Sequence, residues 1–478
     1  MKITRRSTQI LIEDYEYNDK LEKDLSVYDF LKKDFVFSSF FKRDENTILI
    51  PASFPIEDYY EEEIIEDSKC IRPKKIDFEL YQPVRPESVS LEAFNARNAE
   101  QDVIYNKLVT DKTPQKFLSG RTGIGKSYII LRYLKKEKNL PILFVENNKI
   151  KDNWLDEIRK FTDILDEEIL ILSGRESIDK ILNTKKTELP KYKFVIAIHR
   201  TFKLLIDDSP DLVQKVLLHL SIGIKLFDEA HNEWMNMVNI DLLSNVKDTI
   251  YITSTPYKND SAENKVYLKC YGNIEKVGLD NKYENKYHNI KVIRFNTSAS
   301  KKDIKGMATF QYSFVAQRYT QYLMTDEAYK IFIAVLLKIL KGNIKTKRKI
   351  AFIFNNNALI DMVYKDITSV LNKYNIDSSV GIFNQNSNQK DTDIILTTDK
   401  SLNKAINIPG LKSLVNTVPL TGNGSIEQII GRLRFIPDEE VNYYDLVDYS
   451  IPDCVKQLKK RASFYATICK SYTVIDFN

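Results

Sequence analysis

The sequence lacks the features that mark secreted, membrane-spanning and strongly basic proteins. Its four cysteines lie far apart without a C-x-x-C pair, so neither a disulfide framework nor a zinc module is indicated. No run approaches about 18 uncharged apolar residues, and the first residues carry no apolar signal segment, which argues against a membrane span. The 71 basic and 66 acidic side chains nearly balance, so charge alone indicates no nucleic-acid partner. We expect a cytoplasmic protein in a reducing compartment.

The composition and the order of apolar runs indicate a globular α/β protein. At roughly 150 residues per domain, 478 residues predict about three domains. From residue 91, short apolar runs alternate with longer amphipathic segments, and the alternation resumes with the run RKIAFIFN. Strands that alternate with helices predict parallel sheets with crossover helices. We expect a small α+β domain over residues 1–88, one α/β lobe over 89–270, and a second over 271–478 with a helical tail.

Eight consecutive residues match the phosphate-binding pattern G-x-x-x-x-G-K-[ST]. The glycines let backbone N–H groups wrap phosphates, and the helix that follows adds its positive N-terminal end. Lys126 is expected to neutralise the β- and γ-phosphates, and Ser127 to offer its hydroxyl to Mg²⁺. The pattern therefore predicts ATP and Mg²⁺ as cofactors. The residues expected to bind the nucleotide are Gly120, Arg121, Thr122, Gly123, Ile124, Gly125, Lys126 and Ser127.

A second motif, Asp228-Glu229-Ala230-His231, follows the apolar strand GIKLF. Two adjacent carboxylates just past a buried strand are costly unless a cation occupies the site. In a P-loop enzyme that cation is Mg²⁺, bound here through Asp228, while Glu229 polarises the attacking water. The tetrapeptide therefore predicts the metal-binding and hydrolytic half of an ATPase site.

Together these motifs resemble superfamily 2 nucleic-acid helicases of the DExH type, over about residues 91–450. The resemblance implies two RecA-like lobes that sandwich ATP. Residues 253–256 look like the third helicase motif, which implies that His231, Ser254 and Thr255 couple ATP hydrolysis to movement. Residues 428–434 resemble the sixth motif, where Arg434 falls one position earlier than the usual second arginine. The catalytic residues implied by this motif are Gln428, Arg432 and Arg434, with Arg432 as the arginine finger.

The resemblance also implies which residues bind the base and the nucleic acid. The stretch FNARNAEQ is similar to the adenine-reading segment, with Arg97 in it and Gln101 on the base edge. Segments after three strands are similar to those that touch a nucleic-acid backbone. The residues implied in this contact are Asn147, Asn148, Arg200, Thr201 and Thr398. By contrast Trp154, at helical spacing with Ile150 and Ile158, is expected to be a core residue.

The function we expect is that of an ATP-dependent DNA helicase or branch-migration translocase. Its compact length and small leading domain look most like viral and phage helicases of the UvsW type, which would place it in the host cytoplasm. Single-stranded and branched DNA are the expected partners of a monomer, with no membrane. A translocase that releases transcripts and an RNA helicase stay open as alternatives. Basic residues within 1–88 predict that this domain reads DNA shape, with bracing of the first lobe as the alternative.

Overall fold

The computed structural model separates the chain into two compact units, Met1–Pro86 with Leu91–Asp280 and Asn281–Asn478. In the part of the chain that the structure describes, no helix is long and apolar enough to cross a membrane. The described residues are 1–29, 34–67, 69–85, 91–120, 123–253, 261–278, 287–300, 303, 316–403, 408, 410–420, 426, 429–433 and 440–477.

The first unit begins with a small α+β domain, as predicted. Its main sheet has the order β5-β6-β2-β1-β7, in which β7 runs parallel to β1 and the other pairs are antiparallel. Isoleucines from β2 and β6 are fully buried beneath the helix. The elements are β1 Lys2–Arg5, β2 Gln9–Glu13, α1 Asp19–Leu25, β3 Ser26–Asp29, β4 Asp34–Ser38, β5 Phe41–Asp44, β6 Thr47–Pro51 and β7 Ile64–Glu66.

The rest of the first unit is an α/β lobe with a seven-stranded parallel sheet. Its strand order is β10-β11-β9-β12-β13-β8-β14. The strands are β8 Gln115–Ser119, β9 Pro141–Val145, β10 Ile169–Leu172, β11 Phe194–Ile198, β12 Ile224–Phe227, β13 Asp248–Thr253 and β14 Lys276–Val277. The helices are α2 Leu91–Thr110, α3 Lys126–Glu137, α4 Asn148–Phe161, α5 Arg175–Asn183, α6 His199–Asp208, α7 Asp211–Leu220, α8 Trp234–Leu242 and α9 Ser261–Tyr271.

The second unit holds another seven-stranded parallel sheet, of order β17-β18-β16-β19-β20-β15-β21. Two clusters of buried apolar residues form its core. The strands are β15 His288–Phe295, β16 Lys349–Phe354, β17 Val380–Phe383, β18 Ile394–Thr398, β19 Leu411–Asn416, β20 Val441–Asp448 and β21 Cys469–Asp476. The helices are α10 Ala316–Leu323, α11 Asp326–Lys345, α12 Asn357–Lys373, α13 Asp399–Asn403 and α14 Pro452–Ile468.

The structure moves one predicted domain boundary. Strand β14 pairs with β8 in the first sheet, through Lys276 with Phe117 and Val277 with Leu118. The first lobe therefore continues past residue 270, where the sequence interpretation ended it. The short strand lacks the length and apolar character that would have marked it in the sequence. The chain also ends in strand β21 beyond helix α14, so the tail is not helical throughout.

The N-terminal domain is bound to the first lobe by hydrogen bonds at the C-terminal end of α8. The Thr8 hydroxyl lies 2.9 Å from the carbonyl oxygen of Asp241 and 3.0 Å from that of Ser244. The Gln9 amide donates to the Ser244 carbonyl at 3.2 Å, and the Ser7 hydroxyl donates to Asn245 Oδ1 at 2.8 Å. The small domain and the first lobe thus share one unit.

Several basic residues of the N-terminal domain, which the sequence interpretation assigned to DNA, form ion pairs within the domain. Arg5 lies 2.7 Å from Glu57 and 3.5 Å from Glu66, and Arg6 lies 3.5 Å from Asp67. Carboxylates from residues 57–67, an acidic part of the sequence, therefore pair with both arginines. Similar pairs join Lys2 to Glu13 and Lys42 to Glu22.

Candidate functional site

The phosphate-binding loop connects the end of β8 to the beginning of α3. Gly123 and Gly125 adopt positive φ angles of 88° and 91°, which L-residues with a Cβ rarely reach. Gly125 is the N-cap of α3 and has no side chain to accept from the first-turn N–H groups. Lys126 folds back, and its Nζ donates to the Gly120 carbonyl at 2.9 Å. This geometry leaves the first turn of α3 suited to an anion.

Gln101 supports this loop from behind. Its side chain is 2% exposed, and its Nε2 donates to the Ile124 carbonyl at 2.7 Å. A Cβ at Gly125 would collide with the same amide, so the glycine is needed for this close approach. Elsewhere on α2, the Arg97 guanidinium lies 5.8 Å from the ring centre of Phe94. The structure thus gives Gln101 a contact with the loop that the sequence did not indicate.

Asp228 follows the last residue of β12 and lies beside the phosphate-binding loop. Its backbone N–H donates to the Phe144 carbonyl at 3.1 Å, which continues the pairing of β12 with β9. Its Oδ1 accepts from the Glu229 backbone N–H at 3.0 Å. Its Oδ2 accepts from the indole N–H of Trp154 at 2.7 Å. Both carboxylate oxygens are therefore oriented by the protein.

The carboxylates of the DEAH segment fit a divalent cation. Burial and the neighbouring Glu229 raise the pKa of Asp228 to about 6, against the opposing effects of the Trp154 donor and the Lys126 charge. A carboxylate whose charged form is disfavoured by burial is stabilised by a nearby cation. The Glu229 Oε2 atom is buried and has no hydrogen-bond partner among the described residues. These features fit Mg²⁺, with Asp228 and the Ser127 hydroxyl as the residues that would hold it.

The turn after Asp228 places Glu229 and His231 against the end of β13. Glu229 adopts a left-handed backbone conformation with a φ of 47°, which is uncommon for a residue with a side chain. Its Oε2 lies 3.5 Å from His231 Nδ1. The same ring nitrogen lies 2.9 Å from the hydroxyl of Thr253, the last residue of β13. The buried His231 thus links the Glu229 carboxylate to the end of strand β13.

Three helices begin at one edge of the first sheet, after the adjacent strands β10, β11 and β9. Asn147 caps α4, where its Oδ1 accepts from the N–H groups of Lys149 and Ile150 at 3.1 and 3.2 Å. Asn148 and Arg200 are exposed at the first turns of α4 and α6. The Thr201 hydroxyl accepts from the Gly174 N–H at 2.8 Å, which joins α6 to the start of α5. The structure therefore brings the first-lobe nucleic-acid candidates together.

In the second unit, Thr398 and Arg432 lie in separate local environments. The Thr398 hydroxyl accepts from the Ser401 N–H at 3.2 Å, and so caps α13. Arg432 is half-buried, and its N–H donates to the Ile429 carbonyl at 3.1 Å. The six predicted site residues Arg121, Thr122, Ser254, Thr255, Gln428 and Arg434 lie outside the described residues.

Sequence reasoning placed Trp154 correctly in the core but missed its polar contact. The side chain is 3% exposed and belongs to the buried face of α4, with Ile150, Ile158 and Phe161. A buried indole N–H usually finds an acceptor, and that rule could have prompted the search for one. The sequence interpretation also missed Asn236 on α8, whose amide lies 3.1 Å from the Nδ1 of His199 on α6.

Comparisons with known proteins agree with this architecture. Residues 88–258 match the family described as "Type III restriction enzyme, res subunit", over less than half of the chain. No curated protein sequence is significantly similar to the chain.

Two solved structures show the extent of the structural likeness. S. cerevisiae Dbp5, bound to RNA and ADP BeF3, is 14% identical with a TM-score of 0.50, and the match covers 81% of this chain and 94% of that chain. The Hef helicase domain of Pyrococcus furiosus is 14% identical with a TM-score of 0.47, and the match covers 76% of this chain and 97% of that chain. The likeness to Dbp5 confirms the fold of two tandem RecA-like lobes.

Proposed function

We propose that this protein is an ATP-driven helicase or translocase that acts on single-stranded and branched DNA. One arrangement carries the proposal: the ATP-site residues and the nucleic-acid candidates occupy neighbouring parts of a single sheet edge. Strands β12, β13 and β8 lead into Asp228, Thr253 and the phosphate-binding loop, whereas β10, β11 and β9 lead into the three helix N-termini. The positive N-terminal ends of helices beside an ATPase site suit a nucleic-acid backbone.

The residues of the ATP site divide the hydrolytic work among them. Lys126 neutralises charge on the transferred phosphate, and the first-turn N–H groups of α3 bind the phosphate oxygens. Glu229 orients and polarises the attacking water. When bound at Ser127 and Asp228, Mg²⁺ would supply further positive charge to the phosphate oxygens. Arg432 is the proposed arginine finger of the second lobe.

Stimulation of ATP hydrolysis by different nucleic acids tests this function. Turnover would be measured with single-stranded DNA, forked DNA, a four-way junction and single-stranded RNA side by side. We expect all the DNA ligands to stimulate turnover, and strand displacement on the fork. Stimulation by RNA alone would contradict the DNA assignment, and the absence of stimulation by any of the four would contradict the function. Stimulation without strand displacement would indicate a translocase that remodels protein–nucleic-acid complexes.

For the N-terminal domain we propose a bracing role, in place of the DNA-reading role that the sequence favoured. Its Thr8 hydroxyl binds the Asp241 carbonyl, and the Asp241 carboxylate in turn accepts from Tyr251 at 2.7 Å and Tyr271 at 3.0 Å. The same carboxylate is paired with the fully buried Lys225 of β12. The domain therefore contacts a buried polar network that reaches β12 and β13, the strands that end at the DEAH turn and at Thr253.

Substitution at this contact distinguishes the two roles. Thr8→Val should lower the melting temperature, because the hydroxyl that donates to the Asp241 and Ser244 carbonyl oxygens is lost, at a cost of about 1–3 kcal/mol. The preference for forked over single-stranded DNA should stay unchanged. Thr47→Val in β6 serves as the control. An unchanged melting temperature together with a lost fork preference would support the DNA-reading role instead.

A further inference from the structure

We infer that Trp154 is a positioning residue that couples nucleic-acid binding at the N-terminus of α4 to the metal-binding carboxylate Asp228. This inference rests on the proposed function. The indole N–H donates to Asp228 Oδ2 at 2.7 Å, although the two residues lie in different elements and 74 positions apart. The contact joins the helix that presents Asn147 and Asn148 to the side chain proposed to hold Mg²⁺.

Helix α4 can carry a movement from its N-terminus to Trp154. Asn147 caps its first turn, and one buried apolar face holds the helix against the sheet through Ile150, Trp154, Ile158 and Phe161. Trp154 lies seven residues beyond Asn147, which is about 10 Å or two turns of helix. Because an intact helix moves as a unit, a shift or tilt imposed at Asn147 is carried to the indole ring.

The position of α4 in the fold makes this coupling direct. The helix follows β9, and β9 pairs with β12, the strand that leads into Asp228. The other oxygen of Asp228 accepts from the backbone of its neighbour Glu229 and therefore moves with the turn itself. Trp154 is thus a direct hydrogen bond through which a separate element reaches this carboxylate. An N–H···O hydrogen bond spans about 2.7–3.2 Å and is lost by about 3.6 Å, so a displacement of about 1 Å is enough to release it.

The coupling acts in both directions, between nucleic-acid binding and metal–nucleotide binding. If nucleic acid at the start of α4 favours the helix position in which the indole binds Asp228, the metal-ready orientation of the carboxylate is favoured too. Thermodynamic linkage then requires bound metal–nucleotide to change nucleic-acid affinity by the same factor. This factor can be measured from binding alone, without turnover.

The experiment compares two tryptophan variants. The chain has two tryptophans. Trp154→Phe keeps an aromatic ring and removes the N–H donor, whereas Trp234→Phe changes a buried indole that packs on Phe117, Tyr267 and Tyr271. The dissociation constant of a labelled oligothymidylate strand is measured with and without Mg²⁺ and a non-hydrolysable ATP analogue. The ratio of the two constants is the coupling factor.

We expect the unmodified protein to show a coupling factor of at least about fivefold, the lower end of typical allosteric coupling. Trp154→Phe should reduce it to below about twofold, while the affinity without nucleotide changes little. Trp234→Phe should retain it. Benzothienylalanine in place of Trp154, in the Trp234→Phe background, has the indole shape without the N–H and should give the same loss even if phenylalanine perturbs packing.

Three results would overturn the inference. The first is a coupling factor near one in the unmodified protein, and the second is an unchanged factor in the Trp154 variants. The third is an equal loss in the Trp154 and Trp234 variants, which would indicate a general packing effect. The unmodified protein is also tested with an RNA strand, oligouridylate. If it binds neither oligothymidylate nor oligouridylate, the proposed function and this inference are overturned together.

Discussion

His231 Nδ1 lies 2.9 Å from the Thr253 hydroxyl, and this contact joins the DEAH turn to the end of the neighbouring strand β13. Both groups are buried, so their contact is shielded from competing water. Because Glu229 precedes His231 in the same turn, we expect a change at Thr253 to affect Glu229, the residue proposed to polarise water. The contact between His231 and Thr253 is therefore a testable connection between ATP hydrolysis and the segment that follows β13.

Thr253→Val should reduce ATP turnover roughly five- to tenfold, because it removes one hydrogen bond worth about 1 kcal/mol from the hydrolytic turn. The KM for ATP should stay close to that of the unmodified protein, since Thr253 lies outside the phosphate-binding loop. Steady-state ATPase measurements with single-stranded DNA would test this. Thr249→Val, in the same strand, is the control, because the Thr249 hydroxyl has no hydrogen-bond partner among the described residues. Equal turnover by the two variants would contradict the coupling.

Lys126→Ala should abolish ATP hydrolysis, because Lys126 is the cation proposed to neutralise the transferred phosphate. Glu229→Gln should retain ATP and DNA binding but stop turnover, because the amide keeps the geometry and cannot polarise water. Lys136→Ala, an exposed lysine on the same helix α3, is the control for charge. Hydrolysis near the unmodified rate in either site variant would show that the site is assigned wrongly.

Gln101→Ala should raise the KM for ATP and reduce the discrimination between ATP and GTP by about 1–3 kcal/mol. The first effect follows from the lost hydrogen bond between Gln101 Nε2 and the Ile124 carbonyl. The second follows from the proposed contact of the carboxamide with the adenine edge. Competition binding with both triphosphates separates the effects. An equal loss of affinity for ATP and GTP would leave Gln101 with the loop-supporting role alone.

Arg432→Ala should lower turnover on the order of 10³-fold, as the loss of an arginine finger does in other phosphoryl-transfer enzymes. Arg434→Ala should cost less, since its position in the motif is shifted by one residue. Single-turnover hydrolysis at saturating ATP would measure both losses. A larger loss for Arg434 would mean that the sixth motif is aligned wrongly by one position.

His199 should make the free energy of unfolding depend on pH. Burial lowers its pKa to about 3, whereas an unfolded histidine titrates near pH 6.5. Between these values the unfolded state binds more protons, so stability falls as the pH decreases, by at most about 1.4 kcal/mol per pH unit. The free energy of unfolding, measured with denaturant between about pH 7 and pH 5, should therefore change less with pH for His199→Phe than for His219→Phe. Parallel slopes would contradict a buried neutral His199.

The contiguous parts of the ATP site were determined by the sequence itself. The loop from Gly120 to Ser127 needs positive φ angles at particular positions and a lysine at the start of a helix, and adjacent residues supply both. The alternation of apolar runs with amphipathic segments likewise determined two parallel α/β sheets, because parallel neighbours require crossover helices. These features depend on local backbone conformation and periodicity, which neighbouring residues encode.

The partners of buried polar groups were decided by the tertiary structure. The Trp154 indole could have satisfied its N–H at any acceptor, and it reaches Asp228 because β9 lies next to β12 in the sheet. The Thr8 hydroxyl binds the Asp241 carbonyl across 233 positions, and Arg5 pairs with Glu57 within the small domain. Strand order brings such groups together from distant parts of the chain, and no local pattern carries that order. The proposed coupling through Trp154 and the proposed bracing of the first lobe by the N-terminal domain therefore depend on the assembled sheet.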